Sequence, residues 1–340
     1  MIKSLQQDLN AYCAYLGEDP LMVQGAGGNA SWKSEDTLWI KASGTLLAEA
    51  AVKDIFVPVD LRILRKEISS GKSSIVPHVI GDSALRPSIE TVLHAVMPQK
   101  VVMHLHAVNV LATLVQSDFR DCLHRKLQNY PDLQWAAVDY YKPGSDLAQA
   151  ISQALIGNPK IQIVFLKNHG IVLGAQSVAE LDALLERVNS IFDAPIVEPE
   201  FMPMPNQEKI LGEFFSLLED KDLHILVLSS RIFTALKTAW ALYPDHVVFL
   251  GASPNLYDSV SDFYTQLASS QEIPNLAFIK DVGIYAKEEF SNAKLTQLRC
   301  YFNVMQRIER FEGINTLSPQ QIAELLNWDA EKYRQGLQSQ

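Results

Sequence analysis

Three observations predict an α/β protein of two domains. Predicted strands and helices mix over the first half of the chain, which indicates layers of helices on a mixed sheet. Residues 193–206 are rich in proline, and no helical or alternating pattern survives there. Strands and helices alternate again beyond that segment. We therefore expect a first domain over 1–195 and a smaller α/β domain with a parallel sheet over 206–340.

In the first domain, apolar runs of four to seven residues predict strands, and runs with helical spacing predict helices. The predicted strands are 37–43, 54–60, 100–106 and a pair within 161–175. The predicted helices are 88–98, 107–115, 145–157 and 177–193. These elements alternate along the chain, as they do in a sheet covered by helices on its faces.

In the second domain, the same reasoning predicts four strands and three helices. The predicted strands are 224–229, 246–251, 276–279 and 283–286. The predicted helices are 207–219, 231–242 and 289–311. The last helix is long and amphipathic, which is typical of a core or subunit contact.

Composition and charge exclude several classes of protein. The net charge is −10, which offers no general attraction to nucleic acid or to anionic membranes. No apolar stretch approaches the roughly 18 residues of a membrane-spanning helix, and an amino terminus with an early Asp8 does not suit a signal peptide. Three distant cysteines exclude a disulfide framework. We expect a cytoplasmic protein.

Three histidines are candidate metal ligands. His104 and His106 stand two residues apart on a predicted strand, so their side chains share one face. His169 lies in a turn between two apolar strands, before Gly170. Each could be a structural or surface histidine, but three neutral imidazoles are also the ligand set of catalytic zinc. His224 and His246 stand at predicted strand starts, where we expect structural roles.

Glu90 is a candidate acid or base beside the histidines. Pro87 disfavours helix before it, and Ser88 is a plausible helix cap, which puts Glu90 at a predicted helix start. The helix dipole alone would favour a carboxylate there. The functional alternative is a general base whose pKa is raised by burial near a metal ion.

The glycine-rich segment 25–30 fits a loose dinucleotide-binding pattern, but its context argues against that function. A dinucleotide turn needs a helix after it, and residues 31–43 instead alternate like a pair of strands. A loop whose backbone N–H groups contact an anion remains open. A second such loop is possible at 42–45.

Taken in order, five short segments resemble the class II aldolase and adducin family. The segments are GGNAS (27–31), IKASGT (40–45), PSIE (87–90), HLH (104–106) and NHG (168–170). The resemblance implies a three-layer α/β/α sandwich on a mixed sheet. It also implies zinc, or another divalent metal such as cobalt or manganese, held by His104, His106 and His169. Glu90 would be the catalytic acid or base, and the substrate-binding residues would be Asn29, Ser43, Gly44 and Ser88.

One branch of that family is more similar. In it an aldolase-like half precedes a short-chain dehydrogenase half, and the resemblance extends faintly into 274–286 and 327–337 here. No glycine-rich nucleotide turn follows residue 206, so the chain looks like the aldolase half alone. Ile89 and Ala26 stand where sugar-phosphate aldolases of the family carry hydroxyls, which removes potential phosphate donors.

The resemblance implies a lyase that cleaves a ketose or ketose 1-phosphate by a retro-aldol reaction through a metal-stabilised enediolate. A pentulose-phosphate 4-epimerase on the same scaffold is an alternative, although those enzymes typically carry Asp where this chain has Glu90. A non-catalytic adducin-like module is a third alternative, although adducins have lost the metal histidines. We expect a sugar or sugar phosphate as ligand and a homo-oligomer.

Overall fold

The computed structural model describes residues 2–72, 74–197, 215–269, 273–329 and 336. Strands in the first half are β1 Asn29–Ser34, β2 Thr37–Lys41, β3 Phe56–Asp60, β4 Val101–Leu105, β5 Trp135–Val138, β6 Ile163–Leu166 and β7 Gly170–Ala175. Helices in the same half are α1 Ile2–Gly17, α2 Leu61–Ser69, α3 Thr91–Val96, α4 Val108–Leu114, α5 Phe119–Leu127, α6 Ser145–Ile156 and α7 Val178–Phe192. A 3₁₀ turn covers Leu47–Glu49. Strand alternation and helical periodicity in the sequence predict most of these elements.

The seven strands form one mixed sheet in the order β3-β2-β1-β4-β7-β6-β5. Strands β5 and β6 are parallel and the other neighbours are antiparallel. Helices α1, α4, α5 and α7 pack on one face, and α2, α3 and α6 pack on the other. Successive residues of β4 point to opposite faces of the sheet. Met103 packs with the helices on the first face, and Val102 packs with the helices on the other face. The three-layer α/β/α sandwich is confirmed.

The second half contains a smaller sheet beside a cluster of short helices. Its strands are β8 Ser216–Leu217, β9 Leu256–Tyr257, β10 Leu276–Ile279 and β11 Gly283–Ala286. Its helices are α8 Ile225–Leu228, α9 Ser230–Leu236, α10 Pro244–Leu250, α11 Val260–Ser269, α12 Asn292–Met305 and α13 Pro319–Leu326, with a 3₁₀ turn at Lys221–His224. The strand order is β8-β11-β10-β9, and only β9 and β10 pair in parallel. A second sheet is confirmed, but the expected parallel sheet is wrong.

Two predicted strands of the second half are helices. Residues 224–229 contain α8, and 246–251 fall largely within α10. Both runs are short and buried on all sides, so they carry no periodicity that separates strand from helix. Pro244 at the first turn of α10 is a helix-start signal that the apolar run obscured.

Other boundaries also differ from the predictions. The expected helix 88–98 begins only at Thr91, 231–242 ends at Leu236, and 289–311 is limited to Asn292–Met305. Of the predicted helix 207–219, residues 207–214 lie outside the described residues, and Ser216–Leu217 is a strand. Part of the proline-rich segment (198–206) and of 327–337 also lies outside them, so the domain limits at 195 and 206 stay a prediction.

The two halves share a hydrophobic core. Residues of α4, including Val108 and Leu111, pack with Leu226, Phe302 and other buried residues of the second half. Helix α4, which directly follows β4, therefore packs against helices of the second half. Among the described residues, no helix is both long and apolar enough to cross a membrane.

Candidate metal centre

The pairing of β4 with β7 brings the three histidines together. His104 lies in β4 opposite Val172, and Leu105 lies opposite Ile171, so the end of β4 meets the start of β7. His106 follows the strand, and His169 occupies the turn just before β7. A side chain at Gly170 would bring a Cβ within 2.4 Å of the Leu105 carbonyl oxygen, so this close approach requires glycine.

The rings of the three histidines converge. His104 Nε2 lies 3.1 Å from His106 Nε2, and one ligand atom from each histidine lies within 4.8 Å of the other two. All three side chains are buried. Burial lowers the pKa of His169 to about 3, so its imidazole is neutral at physiological pH. Neutral imidazole nitrogens facing one point form a site for a divalent cation.

Outer contacts of the rings favour this orientation. His104 Nδ1 lies 3.1 Å from the Ile171 carbonyl oxygen, to which it must donate, and this leaves the Nε2 lone pair facing inward. One buried atom beside the ligand nitrogens, Glu90 Oε1, has no hydrogen-bond partner among the described residues and lies near His169 Nε2. Such an orphaned polar atom is costly unless a cation or water satisfies it, so the residues present fit a divalent metal.

Glu90 stands immediately before α3, with its carboxylate next to the histidines. Its Oε2 lies 3.5 Å from His104 Nε2, and its Oε1 lies 3.4 Å from His169 Nε2. Burial alone would raise the pKa of Glu90, but His104, His169 and a hydrogen bond from Asn29 together lower it. The expected raised pKa is therefore wrong, and the group is an ionised carboxylate at neutral pH.

Asn29 holds that carboxylate, and a buried histidine holds Asn29. Asn29 Nδ2 donates to Glu90 Oε2 at 2.7 Å, so its Oδ1 faces the other way and accepts from His94 Nε2. His94 Nδ1 then accepts from Ser31 Oγ at 2.7 Å. Burial lowers the pKa of His94 well below its ordinary value, which keeps the ring neutral in this tautomer. The chain Ser31–His94–Asn29 fixes the orientation of Glu90.

Sequence reasoning missed His94. Its signal was present, because it follows Glu90 by four residues at the start of a predicted helix. Ser88 was expected to cap that helix, but Glu90 occupies the cap position and α3 begins at Thr91. The Ser88 hydroxyl instead accepts from the Glu90 backbone N–H at 3.2 Å.

One cavity adjoins His106, His169 and Glu90. The predicted substrate-binding residues line it together: Asn29, Ser43, Gly44 and Ser88. Its enclosed space is about 20 Å³, room for one or two water-sized atoms. A wider groove of about 930 Å³ adjoins it and shares Ser88, Ile89 and Pro143 with its wall. The cavity has room for a small polar end of a ligand, and the groove has room for the rest of the same ligand.

The second half contributes residues to the same cavity. Pro244 and Asp245, from the start of α10, line it together with residues of the glycine-rich loop. Sequence reasoning placed no functional residue in this half, and no motif marks Asp245. His224 and His246 lie outside the cavity lining. His224 bonds to backbone through both ring nitrogens, as expected of a structural histidine.

Comparison with known proteins gives the family. Residues 7–194 match the family described as the class II aldolase and adducin N-terminal domain. The chain belongs to this family. The match covers more than half of the chain and includes the three histidines, Glu90 and both glycine-containing loops. Aldolases of this class depend on divalent metals, in agreement with the buried histidine group.

A curated relative is similar over a longer stretch. It is "Uncharacterized oxidoreductase YuxG" of Bacillus subtilis (strain 168), 25% identical over 228 residues, which are 62% of this chain and 32% of that protein. The chain thus spans about a third of the relative that it matches. An aldolase-like match within a longer protein named as an oxidoreductase agrees with the predicted resemblance to a two-part protein.

Solved structures are similar to part of the chain. The N-terminal class II aldolase domain of a Thermoplasma acidophilum protein is 23% identical, with a TM-score of 0.46, and the match covers 55% of this chain and 91% of that one. An L-fuculose 1-phosphate aldolase is 22% identical, with a TM-score of 0.42, covering 58% of this chain and 91% of that one.

Proposed function

We propose that this protein is a metal-dependent aldolase that cleaves a ketose or a ketose 1-phosphate. One observation carries the proposal: three buried imidazoles converge beside an ionised carboxylate at the end of one cavity. Family membership supports a lyase or a related enzyme. The sugar and the reaction are our inference.

The proposed ligands are His104, His106 and His169, through the nitrogens that face one another. Zinc fits three neutral imidazoles with one open position, and cobalt or manganese would fit the same donors. When bound, the ion would act as a Lewis acid that polarises the substrate carbonyl and stabilises the developing negative charge.

Glu90 is the proposed proton carrier. As a carboxylate it would take the hydroxyl proton of the substrate carbon that becomes the aldehyde. The adjacent carbon–carbon bond then breaks, and its electron pair stays with the carbon next to the carbonyl. Glu90 returns the proton to that carbon, so the cleavage balances without another reagent. Asn29 supports this role because its amide holds the carboxylate in place.

The remaining substrate-binding residues would hold the far end of the sugar. Ser43, Gly44 and Ser88 line the cavity with polar groups, and the buried Lys41 lines the same wall. Ala26 and Ile89 line it with apolar groups. The wall therefore supports either a neutral sugar or one carrying a single anionic group, and both belong in the assay.

Product analysis tests the proposal. Protein loaded with zinc, cobalt or manganese is incubated with panels of ketoses and ketose 1-phosphates, and products are identified by mass spectrometry and NMR. We expect release of an aldehyde, which chelation of the metal abolishes. A stereoisomer of unchanged mass would instead indicate the epimerase, and protein without bound metal would indicate an adducin-like module.

Assembly and location are further parts of the proposal. We expect a homo-oligomer in the cytoplasm, acting on a small molecule and binding neither nucleic acid nor membrane. Light scattering of the purified protein tests the assembly, and fractionation of the source cells tests the location.

A further inference from the structure

Asp245 is a buried carboxylate that reaches the metal centre from the second half of the chain. It lies in the first turn of α10, directly after Pro244, and only 3% of its surface is exposed. Its side chain lines the same cavity as Glu90, His106 and His169. A buried carboxylate is expensive unless it is paired, so its position beside a histidine calls for a functional account.

The carboxylate faces the outer nitrogen of one proposed ligand. Asp245 Oδ2 lies 3.5 Å from His106 Nδ1, while His106 Nε2 lies 3.1 Å from His104 Nε2. A carboxylate on the outer nitrogen keeps the proton there, so the inner nitrogen presents its lone pair. His104 has the corresponding outer contact to a carbonyl oxygen. Asp245 thus orients the His106 ring in the same way as the Ile171 carbonyl oxygen orients the His104 ring.

The surroundings of Asp245 maintain this approach. A Cβ at Gly27 would lie 3.1 Å from both Asp245 Oδ2 and His106 Nδ1, so a side chain at that position would crowd the pair. Buried Gln297, from α12, places its Nε2 at 3.5 Å from the same Asp245 oxygen. The second half therefore supplies both the carboxylate and a group that orients it.

The second half also forms hydrogen bonds to the turn that carries His169. Asn168, fully buried, donates from Nδ2 to the carbonyl oxygens of Leu242 at 2.7 Å and Asn315 at 2.8 Å. Asn315 Nδ2 donates back to Asn168 Oδ1 at 2.9 Å. The segment from Leu242 to Asp245 thus contacts the residue next to one proposed ligand and the ring of another.

We propose that Asp245 is a positioning residue of the metal centre, which orients His106 from the second half of the chain. The inference rests on the proposed metal site and extends it. The centre is then built across both halves, and the second half has a defined role in metal binding. That role would explain why a region without catalytic motifs packs against α4 and the turn that carries His169.

Metal affinity of Asp245→Asn tests the inference directly. The substitution keeps the shape and removes the charge, and loss of such an outer partner typically weakens metal binding by about 10–100-fold. We expect that loss for zinc, measured by competition with a chromogenic chelator. The matched control is Asp222→Asn, which removes an exposed carboxylate of the same region that pairs with Arg299. The control should bind zinc like the wild type.

A second measurement needs no variant and applies even if Asp245→Asn does not fold. In zinc-loaded wild-type protein, two-bond ¹H–¹⁵N correlation spectra report which ring nitrogen of His106 carries the proton and which one binds the ion. We expect the proton on Nδ1, facing Asp245, and zinc on Nδ1 with the proton on Nε2 would overturn the inference.

The outcomes separate the inference from the proposed function. If wild type and Asp245→Asn bind zinc equally well, Asp245 has no positioning role, although the aldolase proposal stands. If the wild type binds no divalent metal, the proposed function fails and this inference fails with it.

Discussion

The histidines of the two halves are buried alike but bonded differently. His104 and His106, beside the seven-stranded sheet, turn ring nitrogens towards each other at 3.1 Å. His224, beside the four-stranded sheet, directs both ring nitrogens to backbone groups, with Leu218 O at 2.9 Å and Ile284 N at 3.0 Å. Burial therefore does not distinguish a candidate ligand from a structural histidine. What distinguishes them is whether a lone pair is left for an ion.

Removing one histidine from each half should give opposite results. His104→Ala should lower zinc affinity by more than the roughly 100-fold that an outer partner costs. His224→Ala should keep zinc binding and lose about 1–3 kcal/mol of unfolding free energy, because it leaves two buried backbone groups unpaired. Chelator competition and urea denaturation measure the two effects. An equal loss of zinc affinity in both variants would show that the two histidines do not differ in metal binding.

Glu90→Gln tests the chemistry of the first half separately from its metal binding. The amide cannot carry the proton, so turnover should fall by about 10²–10⁴-fold, while bound zinc remains stoichiometric. Exchange of the donor ketone's carbon-bound hydrogen with D₂O, followed by NMR, measures the proton step alone. Glu324→Gln, which changes an exposed carboxylate of α13, is the control. Exchange at the wild-type rate in Glu90→Gln would refute the assignment.

Acid should destabilise the second half through His246. Burial lowers its pKa to about 3, whereas an unfolded histidine titrates near 6.5. The unfolded state then binds a proton that the folded state does not, so stability falls as pH decreases from about 6.5 towards 3. Between pH 7 and pH 5, protonation of this one group in the unfolded state should lower the unfolding free energy by about 2 kcal/mol.

His246→Gln isolates that contribution. Urea unfolding of wild type and variant at pH 7 and pH 5 gives the loss for each protein. We expect the loss to be smaller in the variant by about 2 kcal/mol, whatever its stability at pH 7. An identical loss in both proteins would show that His246 does not titrate in this way.

Ser43→Ala should have the smallest effect, and it should weaken only the binding of substrate. One neutral hydrogen bond contributes about 0.5–1.5 kcal/mol, so KM should rise by about 2–12-fold. Zinc affinity and kcat should stay at wild-type values, because Ser43 lines the cavity wall and is not one of the proposed metal ligands. A lower zinc affinity in Ser43→Ala would show that Ser43 supports the metal site and not substrate binding alone.

The sequence predicts the first half well for a physical reason. Strands β4, β6 and β7 are β-branched runs with a clear turn between the last two, so their pairing follows from local pattern. The alternation of β4 places His104 and His106 on one face. The spatial meeting with His169 rests on long-range pairing, which the family resemblance implied and spacing alone did not.

The second half shows where local pattern fails. Runs 224–229 and 246–251 are apolar on every side, so nothing in them separates strand from helix. Asp245 reaches His106 from 139 residues along the chain, and no spacing rule predicts such an approach. The lowered pKa of Glu90 was missed for a similar reason, because it depends on Asn29, His104 and His169 together.

X-ray absorption spectroscopy of the zinc-loaded wild-type protein tests the central claim most directly. If His104, His106 and His169 hold the ion, the spectrum should show three imidazole nitrogens at about 2.0–2.1 Å. Zinc surrounded by oxygen alone, or by fewer than two imidazoles, would contradict the site on which the whole account depends.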